Sequence, residues 1–158
     1  MSGEPIVPIV VDTNVLVPSL YRKTHILSFL LSGNLLLVWN NFIYFEACKI
    51  INRLSEYYKL KNAGIVAEDA LTFLDHITSN GRMVSEMPDK WPNVIVNDRS
   101  DDNFLWVAVT GKAEYIVSDD KSHILTLGNF SGIPIGTPGE FFSWVQQVHP
   151  WPGASPLP

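Results

Sequence analysis

Residues 6–11 read IVPIVV and stop at a carboxylate, Asp12, with Asn14 two places on. A run that is apolar on both alternating faces is a strand buried on both sides, which calls for a sheet covered by helices on each face. Pro8 weakens the first half of that strand, because proline brings no N–H to the ladder. The sequence then alternates. A helical pattern over 13–32 precedes LLLVW at 35–39, and Asn40 or Asn41 can cap a helix with apolar positions Ile43, Ala47, Ile50, Ile51, Leu54 and Tyr58. A further helix carries Ala63, Val66, Ala67, Ala70, Phe73, Leu74 and Ile77 and ends at Asn80-Gly81.

Past two prolines, NVIVN at 93–97 reads as a strand, and residues 101–111 as a helix opened by acids and closed by Gly111. A strand at 114–118, a short helix at 121–128, a strand at 133–137 and a helix at 139–148 begun by Pro138 follow. Strands alternating with helices predict an α/β fold, a three-layer α/β/α sandwich around a mostly parallel sheet. One domain is expected over residues 1–148, with 149–158, HPWPGASPLP, as a flexible tail. No internal repeat is visible.

Parallel sheets hold ligands just beyond the carboxyl ends of their strands. Asp12 ends the first strand, and Asp119 and Asp120 end EYIVSDD. Asp98, Asp101 and Asp102 stand at a strand-to-helix junction in NDRSDDNFLWVA. Glu46 lies early in a helix, beside the Ile43 and Ile50 stripe, and side chains on a helix lean toward its N-terminus. All can therefore meet at one edge of the sheet. Gathered carboxylates repel unless some are protonated or a cation joins them, and an all-oxygen set suits Mg²⁺ or Mn²⁺. Asn14 and Ser118 can support such a centre by hydrogen bonding. Taken singly, each acid has a simpler reading: Asp12 as a helix cap, Asp101 and Asp102 as complements to a helix N-terminus, Glu46 as the partner of Lys49 or Arg53, Asp119 and Asp120 as turn residues. Their joint placement is what favours a cation site.

Composition excludes several classes. A net charge of −5 argues against a protein that coats nucleic acid by bulk electrostatics, but not against a metal-using nuclease. The one cysteine, Cys48, permits no intrachain disulfide. The four histidines are scattered along the chain, so a zinc site is not expected. The apolar stretch ILSFLLSGNLLLVW is broken by polar residues and too short to span a bilayer. With no secretory pattern at the start, the expected location is cytoplasmic. Arg99, Lys112 and Lys121 lie near the acids in sequence and are candidate phosphate contacts, and Trp39, Trp91 and Trp144 are candidate interface residues.

The stretches VVDTNVLVPSL, NNFIYFEACKIINRL and DRSDDNFLWVAVTGKAEYIVSDDKSHIL resemble the motifs of the PIN domain, a family of metal-dependent ribonucleases that includes the toxins of VapBC toxin–antitoxin pairs. The likeness runs over roughly residues 6–145. It implies that Asp12, Glu46, Asp101 and Asp120 are the catalytic, metal-holding acids, with Asp98, Asp102 and Asp119 nearby. It also implies cleavage of single-stranded RNA, homodimers and, in the toxin branch, a small antitoxin protein as partner. Two positions depart from the family pattern: Asp119 replaces a glycine and Ser118 a threonine. The adjacent pair Asp101 and Asp102 leaves two choices for the third acid, of which Asp101 fits the spacing. Two rival classes remain: a non-catalytic PIN module that binds RNA or protein, and a phosphoreceiver or phosphatase with Asp12 as nucleophile. Asn14 where the latter has a second acid counts against it.

Overall fold

The computed structural model describes residues 6–61 and 66–149. Strand β1 (Val7–Val11) is central, with β2 (Leu35–Trp39) on one side and β4 (Tyr115–Val117) on the other. The order is β3-β2-β1-β4-β6-β5, where β3 is Arg82–Met83, β5 Asn129–Phe130 and β6 Ile133–Gly136. Every pairing is parallel except β5 with β6. That pair is a hairpin turning on Ser131 and Gly132, whose φ values of 52° and 82° suit the tight two-residue turn that matches strand twist.

Side chains alternate across the sheet. Val7, Ile9, Val11, Leu35, Leu37, Tyr115 and Val117 face one cluster, packed by α1 (Thr13–Arg22), α2 (His25–Ser32), α3 (Asn41–Leu60), α4 (Ala67–Ser79) and α7 (Pro138–Val148). Val10, Val38, Ile116 and Ile135 face the other, covered by α5 (Asp102–Thr110) and α6 (Ile124–Leu127). Fully burying each such aliphatic chain is worth roughly 1.5–3 kcal/mol, so the three-layer arrangement follows from strands with no polar face. The expected α/β/α sandwich is the fold.

Local structure departs from expectation in four places. The helix expected over 13–32 is two helices, because Lys23 takes a left-handed φ of 53° and Thr24 is extended. The break lets α2 turn back against β2. The strand expected at 93–97 does not form. The carboxylate of Asp102 takes the N–H groups of Val94 (3.2 Å) and Ile95 (2.8 Å), and Asn97 has φ 68°, so neither ladder bonds nor extended backbone are available. The short strands β3 and β5 were not anticipated. Val66 caps α4 and is 58% exposed rather than on its buried face, while Ala63 lies outside the described residues.

The candidate interface tryptophans serve packing. Trp39 donates to Thr78 O at 3.0 Å, Trp91 stands edge-on to Trp106, and Trp144 lies against Tyr115. Of the expected tail, His149 is described, its Nε2 2.6 Å from Glu114 Oε1; residues 150–158 lie outside the described residues. Among the described residues, no helix is long and apolar enough to cross a membrane.

Candidate metal centre

The chain leaves β1 toward β2 on one side and returns to β4 on the other, so the carboxyl ends of β1 and β4 flank the point where strand order reverses. A cleft opens there, as such topology favours. Its volume is about 680 Å³, and it is lined by Asp12, Glu46, Asp98, Asp101, Asp119 and Asp120, with Lys49, Arg53, Lys121 and His123 at its walls. Six carboxylates against three permanent cations make the cleft strongly negative.

Asp12 is the deepest acid, 3% exposed. Both simple and functional readings of it are realised at once. Its Oδ1 accepts from the Asn14 backbone N–H at 3.3 Å and starts α1, while Oδ2 accepts from the Ser118 hydroxyl at 2.8 Å. Burial raises its pKa, and these two bonds only partly offset the rise. The Asn14 side chain itself is exposed at the cleft, and the bond to Asp12 comes from its backbone, not its amide. Ser118 is fully buried. With no exposed surface, it meets neither a phosphate nor solvent in the cleft. Instead its oxygen donates to Asp12 and accepts from the Asp120 N–H at 3.0 Å, so one hydroxyl ties the ends of β1 and β4 together.

Asn40 caps α3 by accepting from Ile43 N at 3.1 Å, which sets the helix so that Glu46 leans into the cleft. Glu46 Oε2 accepts from the Thr13 hydroxyl at 3.2 Å. Burial raises the Glu46 pKa, with Thr13 opposing and the charges of Asp12 and Asp98 adding to it. Asp101, in the 3₁₀ turn Arg99–Asp101 ahead of α5, is pushed up to about 7 by burial and then by the charges of Asp98 and Asp12, with Glu46 contributing. At an effective dielectric near 20, two carboxylates about 5 Å apart repel by roughly 3 kcal/mol, and holding a proton relieves that repulsion. Asp98 is held below the usual range, first by the Ser100 hydroxyl at 2.7 Å.

Asp101 and Asp102 part company. Asp102 is wholly buried on the far side of its turn, bonded to Val94 N, Ile95 N and Arg99 Nη1, and is a structural anchor outside the cleft. Arg99 is engaged there as well, reaching Pro92 O and Asp89 O, and Lys112 is not in the cleft. Of the expected cations only Lys121 lines it; Lys49 and Arg53, one and two turns beyond Glu46 on α3, were assigned only to pairing with that acid. Asp119 is exposed at the cleft margin, beside a smaller cavity lined by Arg22, Tyr58 and Phe142.

The residue sequence reasoning missed is His123. Its Nδ1 lies 3.0 Å from Asp120 Oδ2, 3.9 Å from Asp101 Oδ2 and 4.0 Å from Asp98 Oδ2. The bond to Asp120 raises its pKa. The signal was available: an imidazole three residues past a strand-end acid falls on the same face of the following turn. Ligand atoms of Asp98, Asp101 and His123 lie within 4.8 Å of one another.

A mostly parallel α/β sheet thus gathers carboxylates at its switch point, an arrangement that can hold a metal ion. A family model described as "PIN domain" matches residues 8–122, most of the chain and every acid of the cleft, and the chain belongs to that family. No curated protein and no solved structure matches it.

Proposed function

We propose that this chain is a metal-dependent endoribonuclease of the PIN type, cutting phosphodiester bonds in single-stranded RNA, with Asp12, Glu46, Asp101 and Asp120 holding Mg²⁺ or Mn²⁺. One observation carries the reading. Carboxylates from four separate segments converge on one cleft, where burial and then the charges of Asp98 and Asp12 push Asp101 up to about 7. The donor set fits a hard divalent ion: oxygen atoms, mutually repelling, on both sides of a single opening. When bound, such an ion supplies activation of water and neutralises charge that builds on the scissile phosphate.

The chain's own groups do the rest. Ser118 and Thr13 hold Asp12 and Glu46 in orientation, so the acids need not reorganise when substrate arrives. Lys49, Arg53 and Lys121 rim the acids and meet the flanking phosphates. Substrate enters from the open side, since the floor is the sheet edge. At the finer level the protein is read as the toxin of a toxin–antitoxin pair, a homodimer restrained by a small antitoxin protein; the resemblance to a family that includes such toxins is what suggests this. A neighbouring reading frame for a small DNA-binding protein, and growth arrest on expression without it, are the checks on that level.

The primary test is cleavage of single-stranded RNA by the purified chain with Mn²⁺ or with EDTA. Cutting should need the ion and vanish in Asp12→Asn, which keeps its fold. Cleavage that persists in EDTA or in that variant would end the proposal.

A further inference from the structure

Resting on the metal-centre reading above, we propose that His123 is a nitrogen ligand of the same ion and makes the site prefer Mn²⁺ over Mg²⁺. Ligand atoms of Asp98, Asp101 and His123 all lie within 4.8 Å of one another, close enough to share one centre. Two donor atoms about 2.1 Å from an ion stand roughly 3 Å apart at right angles and roughly 4.2 Å apart when opposite. His123 Nδ1 lies 3.0 Å from Asp120 Oδ2, 3.9 Å from Asp101 Oδ2 and 4.0 Å from Asp98 Oδ2. One ring nitrogen thus faces three carboxylates from two different loops. A surface imidazole paired with a single acid has no reason to do so.

The ring is also held in place. Ile124, next in the chain, is fully buried under β6 and α5, and it pins the loop. Asp120 Oδ1 accepts from Ser122 N at 3.0 Å and Asp120 O from Leu125 N at 3.2 Å, which closes the turn that carries His123. The Thr126 hydroxyl donates to His123 O. For Nδ1 to bind an ion its lone pair must face inward, so the proton between it and Asp120 passes to solvent.

The consequence is selectivity. Mg²⁺ demands oxygen donors and gives up its waters reluctantly, whereas imidazole suits first-row transition ions. A mixed nitrogen and oxygen set therefore leans toward Mn²⁺.

The experiment uses the full chain freed of metal, at pH 8, titrated calorimetrically with Mn²⁺ and separately with Mg²⁺, for the native protein and His123→Gln. Electron spin echo spectra of the Mn²⁺ form report whether nitrogen is coupled to the ion. Removing the ligand should weaken Mn²⁺ binding on the order of tenfold or more while changing Mg²⁺ binding little, and nitrogen coupling should be present in the native protein and absent in the variant. A native protein that binds Mn²⁺ without nitrogen coupling, or a variant that loses both ions equally, overturns the assignment. If His123→Gln does not fold, the native spectrum alone decides. Failure of the underlying reading looks different: the native chain then binds neither ion, or Asp12→Asn binds both as the native chain does.

Discussion

Replacing Asp101 by Asn should make the metal-free protein more stable, and replacing its neighbour Asp102 by Asn should make it less so. Burial and neighbouring charge push Asp101 up to about 7 in the fold, against 3.8 for an unperturbed aspartate. Between those values the unfolded chain has released a proton that the folded chain keeps. Stability therefore falls as pH rises through that window and levels off above 7. At about 1.4 kcal/mol per pH unit of displacement the penalty is somewhat above 4 kcal/mol at pH 8, and some solvent access at the cleft brings it to roughly 2–4 kcal/mol. An uncharged amide at position 101 removes it. In a chain of this size, that corresponds to a rise of roughly 5–15 °C in melting temperature in EDTA.

Asp102 has the opposite sign. Its carboxylate is 0% exposed and accepts from two backbone N–H groups and Arg99. An amide turns one acceptor into a donor facing those N–H groups, a loss of roughly 2–4 kcal/mol that metal does not alter. The assay is thermal unfolding from pH 4 to 8, with EDTA and with Mn²⁺. The native protein should gain stability on acidification in EDTA and on adding Mn²⁺ at pH 8; Asp101→Asn should show neither effect at full size. An Asp101→Asn protein less stable than the native one in EDTA, with an unchanged pH slope between 4 and 7, would refute the electrostatic account.

Two other substitutions probe the supports. Ser118→Ala breaks the link between the ends of β1 and β4, and should cost roughly 1–2 kcal/mol in denaturant unfolding while weakening metal binding on the order of tenfold; native-like values for both would show that the hydroxyl is not a positioning group. Lys49→Ala and Arg53→Ala should each lower RNA affinity across all sequences and reduce the slope of log affinity against log salt by roughly 0.7, measured by filter binding in Ca²⁺; an unchanged slope would place those cations outside the RNA path.

Much of the architecture is present in the residue pattern. The strands β1, β2, β4 and β6 are legible because a strand buried on both faces has no polar alternate, and the helices between them because their apolar positions recur at turn spacing. Placing Asp12 and Asp120 at one edge needed only the rule that parallel strands end together. Residues 93–97 misled because NVIVN has strand composition, while its backbone donors are taken by Asp102, a residue that local pattern cannot aim.

Local sequence determined which segments bury themselves and where the chain turns, since burial of an apolar face is decided within a few residues. Only the tertiary structure decided which charged groups share the cleft. It separated the adjacent Asp101 and Asp102, brought Lys49 and Arg53 around from α3, and set His123 among Asp98, Asp101 and Asp120. Those meetings depend on how far each crossover swings about the sheet, and electrostatic interaction between residues distant in the chain leaves no periodic trace in the sequence.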